Sequence, residues 1–375
     1  MVDLARKNLL HDKLRFLITV SGVAFAVALV FVQVGLFLGL LDNASITIDH
    51  LQADLWVTSR NTPNVDFAHA FPDSLVERVR SVDGVERADN LLLAFINVTQ
   101  PSGAEETAIV YGLEDFRRWG VPWHVLEGNL DDLRRGDFLF LDASAERRFG
   151  PFKVGDHREF NGQRLKIIGR TRDALSFTTT PLAFADFDLT QRLAGERFRD
   201  RTTYILVKLA PGADPDAVRR EIQRRLPYND VYTKTEWAER SRTYWVASTG
   251  LGMNMILTVF LGCLVGVVVV AQTLYTSTME HLKEFGTVKA IGGSNADIYR
   301  ILAQQATIAA LFGFVVGGAM AWALRPAMAA IHLKLIVPGS LAALVFVGTV
   351  LLCLGAAIVS FRKVARIDPA LVFRT

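Results

Sequence analysis

Four apolar runs, each about as long as a bilayer is thick, limit how this chain can fold more than any other feature. The first, Phe16 to Leu41, carries no charge, and Gln33 is its most polar side chain. It exceeds the ~20 residues that a membrane-crossing helix needs. A cleaved signal peptide has a shorter apolar core, of ~7–15 residues, and a small-residue cleavage site. Residues 16–41 therefore read as a retained transmembrane helix, with the extra length taken up by tilt or by a stalk beyond the bilayer. The second run is 251–275, the third 301–324 and the fourth 341–361.

The flanks orient these spans. Residues 1–15 place Leu4, Leu10 and Leu14 among Arg6, Lys7, Lys13 and Arg15. They read as a cytoplasmic amphipathic segment lying in the interface, or more simply as a basic flank; both put the N-terminus in the cytoplasm. Four spans return the tail, 362–375, to the same side, and it begins with Arg362, Lys363 and Arg366. The connection 325–340 holds only Arg325 and Lys334 and belongs outside. The turn 276–300 then faces the cytoplasm. Residues 42–250 lie outside, since long domains translocate regardless of their charge. The expected protein is a multi-pass one of the bacterial inner membrane with both termini cytoplasmic. Its fold class is an α-helical membrane protein with four transmembrane helices and a large α+β extracytoplasmic domain between the first and second.

That domain has no run long enough to span. Residues 53–59 alternate like a strand, and 72–82 read as a helix with Pro72 at its start and Asp83-Gly84 at its end. Residues 91–99 and 107–113 look like a strand pair. Residues 137–142 look like a strand, and 156–169, with the turn Asn161-Gly162, like a hairpin. Residues 202–209 form another expected strand. Residues 214–226 are an amphipathic helix opened by Asp214-Pro215 and stopped by Pro227. Strands and helices follow no strict alternation, which suits a mixed α+β domain. Residues 170–188 are rich in hydroxyls and aromatics and read either as an exposed loop, a candidate docking surface, or as an ordinary strand-and-turn region.

Several functions lack the residues they need. The net charge of +3 argues for no nucleic-acid partner. Neither Cys263 nor Cys353 has a second Cys or a His at ligand spacing, so both read as small core residues and no metal is expected. No span carries a charge or a His in its middle, as an ion-coupled transporter usually would. Of the polar residues in or near the spans, Gln272, Gln304 and Gln305 sit near cytoplasmic helix ends. There is no P-loop, HExxH or GxSxG, so no catalytic residue and no cofactor are expected in this chain. Energy for any movement must come from a partner.

Three spans repeat small residues four apart: Gly35 and Gly39, Gly262 and Gly266, Gly313 and Gly317. Such spacing lets helix backbones approach closely. Four helices also make a thin bundle, which points to a second copy or a larger complex.

The short charged segment between the second and third spans holds Leu282, Phe285, Val288 and Ile291 every third residue, with Glu280, Lys283, Glu284 and Thr287 between them. It reads as a short helix stopped by Gly292-Gly293, and Ser294 with Asp297 resembles a capping box that starts the next helix. Spacing leaves two readings open: a helix that receives a partner, or a plain connector. The sequence EFGTVKAIGGSNADIYRILAQQA, followed in the tail by Arg366-Ile367-Asp368-Pro369-Ala370, resembles the signature of FtsX/MacB-type (type VII) ABC transporter permeases. The order of one span, a large domain and three spans is similar too. Lys7 to Leu17, Leu51-Gln52-Ala53-Asp54 and LYTSTMEHLKEFGTVKAIG are most similar to the DevC-like permeases. Gly292-Gly293-Ser294 departs from that subfamily, whose members often have a bulkier residue after the first Gly.

The resemblance implies a homodimer, each copy joined to a cytoplasmic ABC ATPase that holds the ATP and Mg. It implies that the helices pass ATPase motion to the outer domain without a conventional tunnel. Glu280, Glu284, Phe285, Gly286, Lys289, Ile291 and Gly292 would form the coupling helix, with Phe285 and Ile291 as buried anchors. DevC-like members are associated with an HlyD-type periplasmic adaptor and a TolC-like outer-membrane channel, and with lipidic cargo such as glycolipids. Two other roles fit the wider family: FtsX-like mechanotransmission to a cell-wall hydrolase, and LolC-like lipoprotein release.

Overall fold

The computed structural model describes residues 13–100, 102–280 and 294–364. The protein divides into two compact units, Met1–Gly39 with Gly252–Thr375, and Leu40–Leu251. Among the described residues, four helices are long and apolar enough to cross a membrane. The first is α1 (Lys13–Asn43). Val20, Val23, Ala24, Val27 and Phe31 recur along it every three or four residues and are buried, whereas Phe25 is exposed.

The α+β unit begins with α2 (Ile46–His50), β1 (Leu55–Ser59), β2 (Phe71–Pro72) and α3 (Leu75–Arg80). Next come β3 (Val85–Thr99), β4 (Glu105–Leu113), α4 (Phe116–Trp119), β5 (Val125–Glu127), β6 (Phe138–Asp142) and α5 (Glu146–Phe149). The hairpin β7 (His157–Phe160) and β8 (Gln163–Thr171) precedes β9 (Leu182–Asp186), which runs straight into α6 (Phe187–Ala194). The unit closes with β10 (Arg201–Thr202), β11 (Tyr204–Leu209), α7 (Pro215–Arg225), β12 (Asn229–Thr233) and α8 (Lys234–Ala247). Ten strands form one sheet along the path β12-β1-β11-β3-β4-β9-β6-β8-β5, with β7 beside β3 and β8; β2 and β10 pair separately.

Strand β3 joins the two ends of this sheet. Its first part pairs with β11 as far as Leu91↔Tyr204, and its second with β4 from Leu91↔Leu113 to Thr99↔Glu105. Midway it is buried on both faces, which is why Leu91, Leu92, Leu93 and Ala94 are apolar in succession rather than in alternation. Apolar cores lie on the sheet. One contains Trp56, Trp119, Trp237, Tyr204 and Phe184. A second sits under α3 and α7, with Val76, Val79, Val218 and Ile222. A third lies under α6, with Leu189 and Leu193 against Phe149 and Phe160.

Local signals explain several elements. Asn161 and Gly162 both take positive φ, 45° and 77°, as a two-residue hairpin of this twist requires. Asp214 accepts from the Asp216 N–H and Pro215 occupies the first turn of α7. One expectation changes and one open choice is decided. Pro72 does not start a helix; it pairs in β2 with Arg201, and α3 begins at Leu75. Of the two readings of residues 170–188, the strand-and-turn region is found and the exposed loop is not. Ala174, Leu175, Ser176 and Phe177 are buried, and β9 is buried through Ala185 because it pairs with both β4 and β6. Asp142 fixes this segment by accepting from Ser144 N–H and Oγ, Thr171 Oγ1 and the Ala174 N–H, at 2.6–3.0 Å. Burial raises its pKa against those donors.

The helical unit is completed by α9 (Leu251–Glu280), α10 (Asn295–Ala330) and α11 (Gly339–Val364). These helices outrun the apolar runs 251–275, 301–324 and 341–361, because the backbone ladder continues into polar flanks. In α10 it continues past Pro326, so most of the first half of the expected connection 325–340 is helical. Residues 1–12 and 365–375, most of the expected cytoplasmic ends, lie outside the described residues.

Candidate functional site

Helices α1, α9 and α11 leave a cavity of about 300 Å³ between them, at the low end of the range for ligand pockets. Its wall includes Val23, Val27 and Val30 of α1, Val259 and Val267 of α9, and Leu344, Val345 and Leu352 of α11. The residues of α1 and α9 recur at three- to eight-residue spacing, and those of α11 lie one and seven apart, so one side of each helix contributes. Among the described residues no charged side chain lines it. The hydroxyl of Thr349 donates to Val345 O at 2.7 Å and is already satisfied within its own helix. A Cβ added at Gly348 would meet nothing within 4 Å, so this glycine borders open space. Both cysteines also line the cavity, Cys263 half-buried and Cys353 buried. The sequence separates them by ninety residues, and only the arrangement of α9 and α11 about the cavity brings them to its lining. A half-open apolar pocket of this kind can host hydrocarbon and offers a charged group no partner.

The six glycines singled out by spacing all meet at α1 or lie on it. A Cβ on Gly262 would stand 2.8 Å from Leu29 Cδ2, and one on Gly266 would stand 2.9 Å from Ala26 Cβ, so α9 packs closely on α1. From α10, Gly313 abuts Val23, and a Cβ on Gly317 would stand 2.6 Å from Ala24 O. Gly35 and Gly39 differ from a helix-on-helix arrangement. The non-helical residues 333–338 lie there: Ile336 N–H donates to Gly35 O at 3.1 Å, and Gly39 faces the Lys334 carbonyl. All of these contacts are within one chain.

The charged turn is seen only at its two ends. Glu280, the last residue of α9, is exposed. Glu284, Phe285, Gly286, Lys289, Ile291 and Gly292 lie outside the described residues. On the far side α10 starts with the expected capping box: Ser294 Oγ accepts from Asp297 N–H, and Asp297 Oδ2 accepts from Ser294 N–H at 2.9 Å. Of the polar residues in or near the spans, Gln272 is exposed, Gln33 and Gln304 are half-buried, and Gln305 is buried on the inner face of α10. Among the described residues no group of three His, Cys, Asp or Glu side chains is placed to hold a metal ion.

Residues 16–225 match the MacB-like periplasmic core domain, and residues 256–369 match the FtsX-like permease C-terminal domain. The chain belongs to the FtsX/MacB-type ABC transporter permeases. An uncharacterized ABC transporter permease of Mycobacterium bovis is 25% identical over 100% of this chain and 99% of its own length. One from Mycobacterium tuberculosis is 24% identical with the same coverage. The crystal structure of the periplasmic region of MacB from Actinobacillus actinomycetemcomitans is similar over 51% of this chain and 94% of that one, with 13% identity and a TM-score of 0.40. The permease is thus a multi-pass membrane protein whose family works with a cytoplasmic ATPase.

Proposed function

We propose that this permease is the non-catalytic membrane subunit of an ATP-driven exporter whose cargo is lipidic, such as a glycolipid. The observation that carries the cargo class is the aliphatic cavity between α1, α9 and α11, which has no polar anchor. In this reading α1, α9, α10 and α11 are four spans, both termini are cytoplasmic and the α+β unit is extracytoplasmic. Two copies work together. Each receives force from an ATPase, holding ATP and Mg, through the turn that begins at Glu280, with Phe285 and Ile291 as anchors. An aromatic anchor of this kind is commonly worth about 2 kcal/mol or more at an interface. An HlyD-type adaptor and a TolC-like channel carry the cargo onward from the α+β unit.

The test is to co-reconstitute the permease with its ATPase in vesicles and follow ATP-dependent lipid release to an acceptor. Gly348→Leu projects a side chain into the cavity from a position where its Cβ meets nothing within 4 Å, so release should fall at least tenfold while assembly with the ATPase and ATP hydrolysis persist. Phe285→Ala should instead separate hydrolysis from release. Release that is unchanged in Gly348→Leu overturns the cavity as the cargo's path. An ATPase complex that moves no lipid at all turns the reading towards mechanotransmission.

A further inference from the structure

Residues 61–68 cross the α+β unit as a strap without regular secondary structure. The strap is fastened mainly to α8 and to the strand beneath. Val65 N–H donates to Ser241 Oγ at 3.1 Å, and Arg240 Nε donates to Thr62 O at 3.4 Å. From β11, Tyr204 Oη donates to Val65 O at 2.8 Å. Phe67 sets its ring against Tyr244 and Trp245, with centroids 5.9 and 5.7 Å away. Ser241, Tyr244 and Trp245 all belong to α8, and only residues 248–250 separate α8 from the membrane helix α9.

Between these fastenings the strap buries an acid. Asp66 is 6% exposed, and its Oδ2 is buried with no hydrogen-bond partner. Asn64 Nδ2 on the strap, and the indole N–H groups of Trp56 and Trp237 that pack on Tyr204, are likewise buried and unpaired. The titratable groups coupled to Asp66 are the phenols of Tyr111 on β4 and Tyr204 on β11, both held neutral by burial. Among the described residues no basic side chain offsets the burial of Asp66, whose carboxyl is pushed up to about 7. An ionised carboxylate without a cation or donor is not sustained in such a core; the group keeps its proton or moves to water.

We propose that residues 61–68 are a proton-operated latch on α8: with Asp66 neutral the strap lies closed on the helix, and with Asp66 ionised it lifts, releasing Ser241 Oγ and withdrawing Phe67 from Tyr244 and Trp245. The closed strap holds a proton that the open strap releases above the ordinary carboxyl value of 3.8. Closure is therefore strongest below that value and weakens by about tenfold per pH unit from about 4 to about 7, then levels off. Opening would loosen the side of α8 that carries Ser241 while its other fastenings hold, since Trp245 also stacks on Phe177 with centroids 4.1 Å apart, Arg242 pairs with Asp49 at 2.7 Å and Lys234 Nζ donates to Leu51 O at 2.9 Å. The latch depends on residues of the α+β unit alone, so it stands or falls separately from the cargo.

Hydrogen exchange on the full chain in nanodiscs tests this, read on a peptide covering residues 60–70 and corrected for the intrinsic pH dependence of exchange. Protection should fall about tenfold per pH unit between pH 5 and 7 and flatten above it. Asp66→Asn, which cannot ionise, should remove the slope. Phe67→Ala keeps the acid and loses the ring contact, so it should lower protection equally at every pH and retain the slope. A flat wild-type profile, or the same slope in Asp66→Asn, overturns the latch.

Discussion

The two units solve the same packing problem with different residues. The α+β unit fills its interior with its largest side chains: Trp56, Trp119, Trp237, Tyr111 and Tyr204 are all fully or nearly fully buried. The helical unit fills its interior with small ones, among them Ala306, Ala309, Ala310, Gly313, Gly317 and Ala321 along one face of α10. The solvent explains the difference. In water, burying a large apolar side chain is itself favourable, by roughly 25 cal/mol per Å². Between lipid tails no such gain exists, and helices hold together by close approach and dispersion. Polar groups follow the same division. The α+β core contains Asp142 with four donors, whereas buried hydroxyls of the helices, such as Thr278 and Thr349, donate to carbonyls of their own preceding turn.

This contrast can be broken at its most dependent points. The largest effect is expected at Trp237, which stacks on Tyr232 with ring centroids 5.2 Å apart and is fully buried. Trp237→Ala should cost about 3–5 kcal/mol and make the α+β unit protease-sensitive while the helices stay inserted. In the helical unit the harmful direction is reversed. Gly317→Leu drives a side chain into the Ala24 carbonyl and should cost about 1–3 kcal/mol, read as a lower melting temperature in detergent. Gly348→Leu, on the open side of α11, should leave that temperature nearly unchanged. The smallest effect sharpens the comparison by testing one device in both settings. Thr233 with Glu236 starts α8, and Ser294 with Asp297 starts α10, each as a full capping box. Thr233→Ala and Ser294→Ala should each cost about 1 kcal/mol, because a cap satisfies backbone N–H groups at an exposed helix end wherever the helix leads.

What the sequence disclosed follows from how far each signal reaches. The Asn161-Gly162 turn, the Asp214-Pro215 helix start and the Ser294–Asp297 box each depend on a few adjacent residues, and the structure contains all of them. Residues 170–188 left two readings open because their hydroxyls resemble a solvated loop; Asp142, which accepts from the Thr171 hydroxyl and the Ala174 N–H, is about thirty residues away in the chain. Strand β3 extends six residues before the apolar run that announces it, because β11, more than a hundred residues later, supplies its partner.

The sequence by itself determined which segments are helices of membrane length, where the charged turn lies and which family signature it carries. Composition over twenty residues suffices for that, since the bilayer demands continuous apolarity and internally satisfied backbone. Only the tertiary structure decided what those segments enclose. Cys263 and Cys353 line one cavity because α1, α9 and α11 surround it, and Asp66 meets an apolar core because the strap crosses β11 and α8. Contacts between residues so distant in the chain have no local pattern. They are set by which surfaces exclude water or lipid together, and that is fixed only when the whole chain is packed.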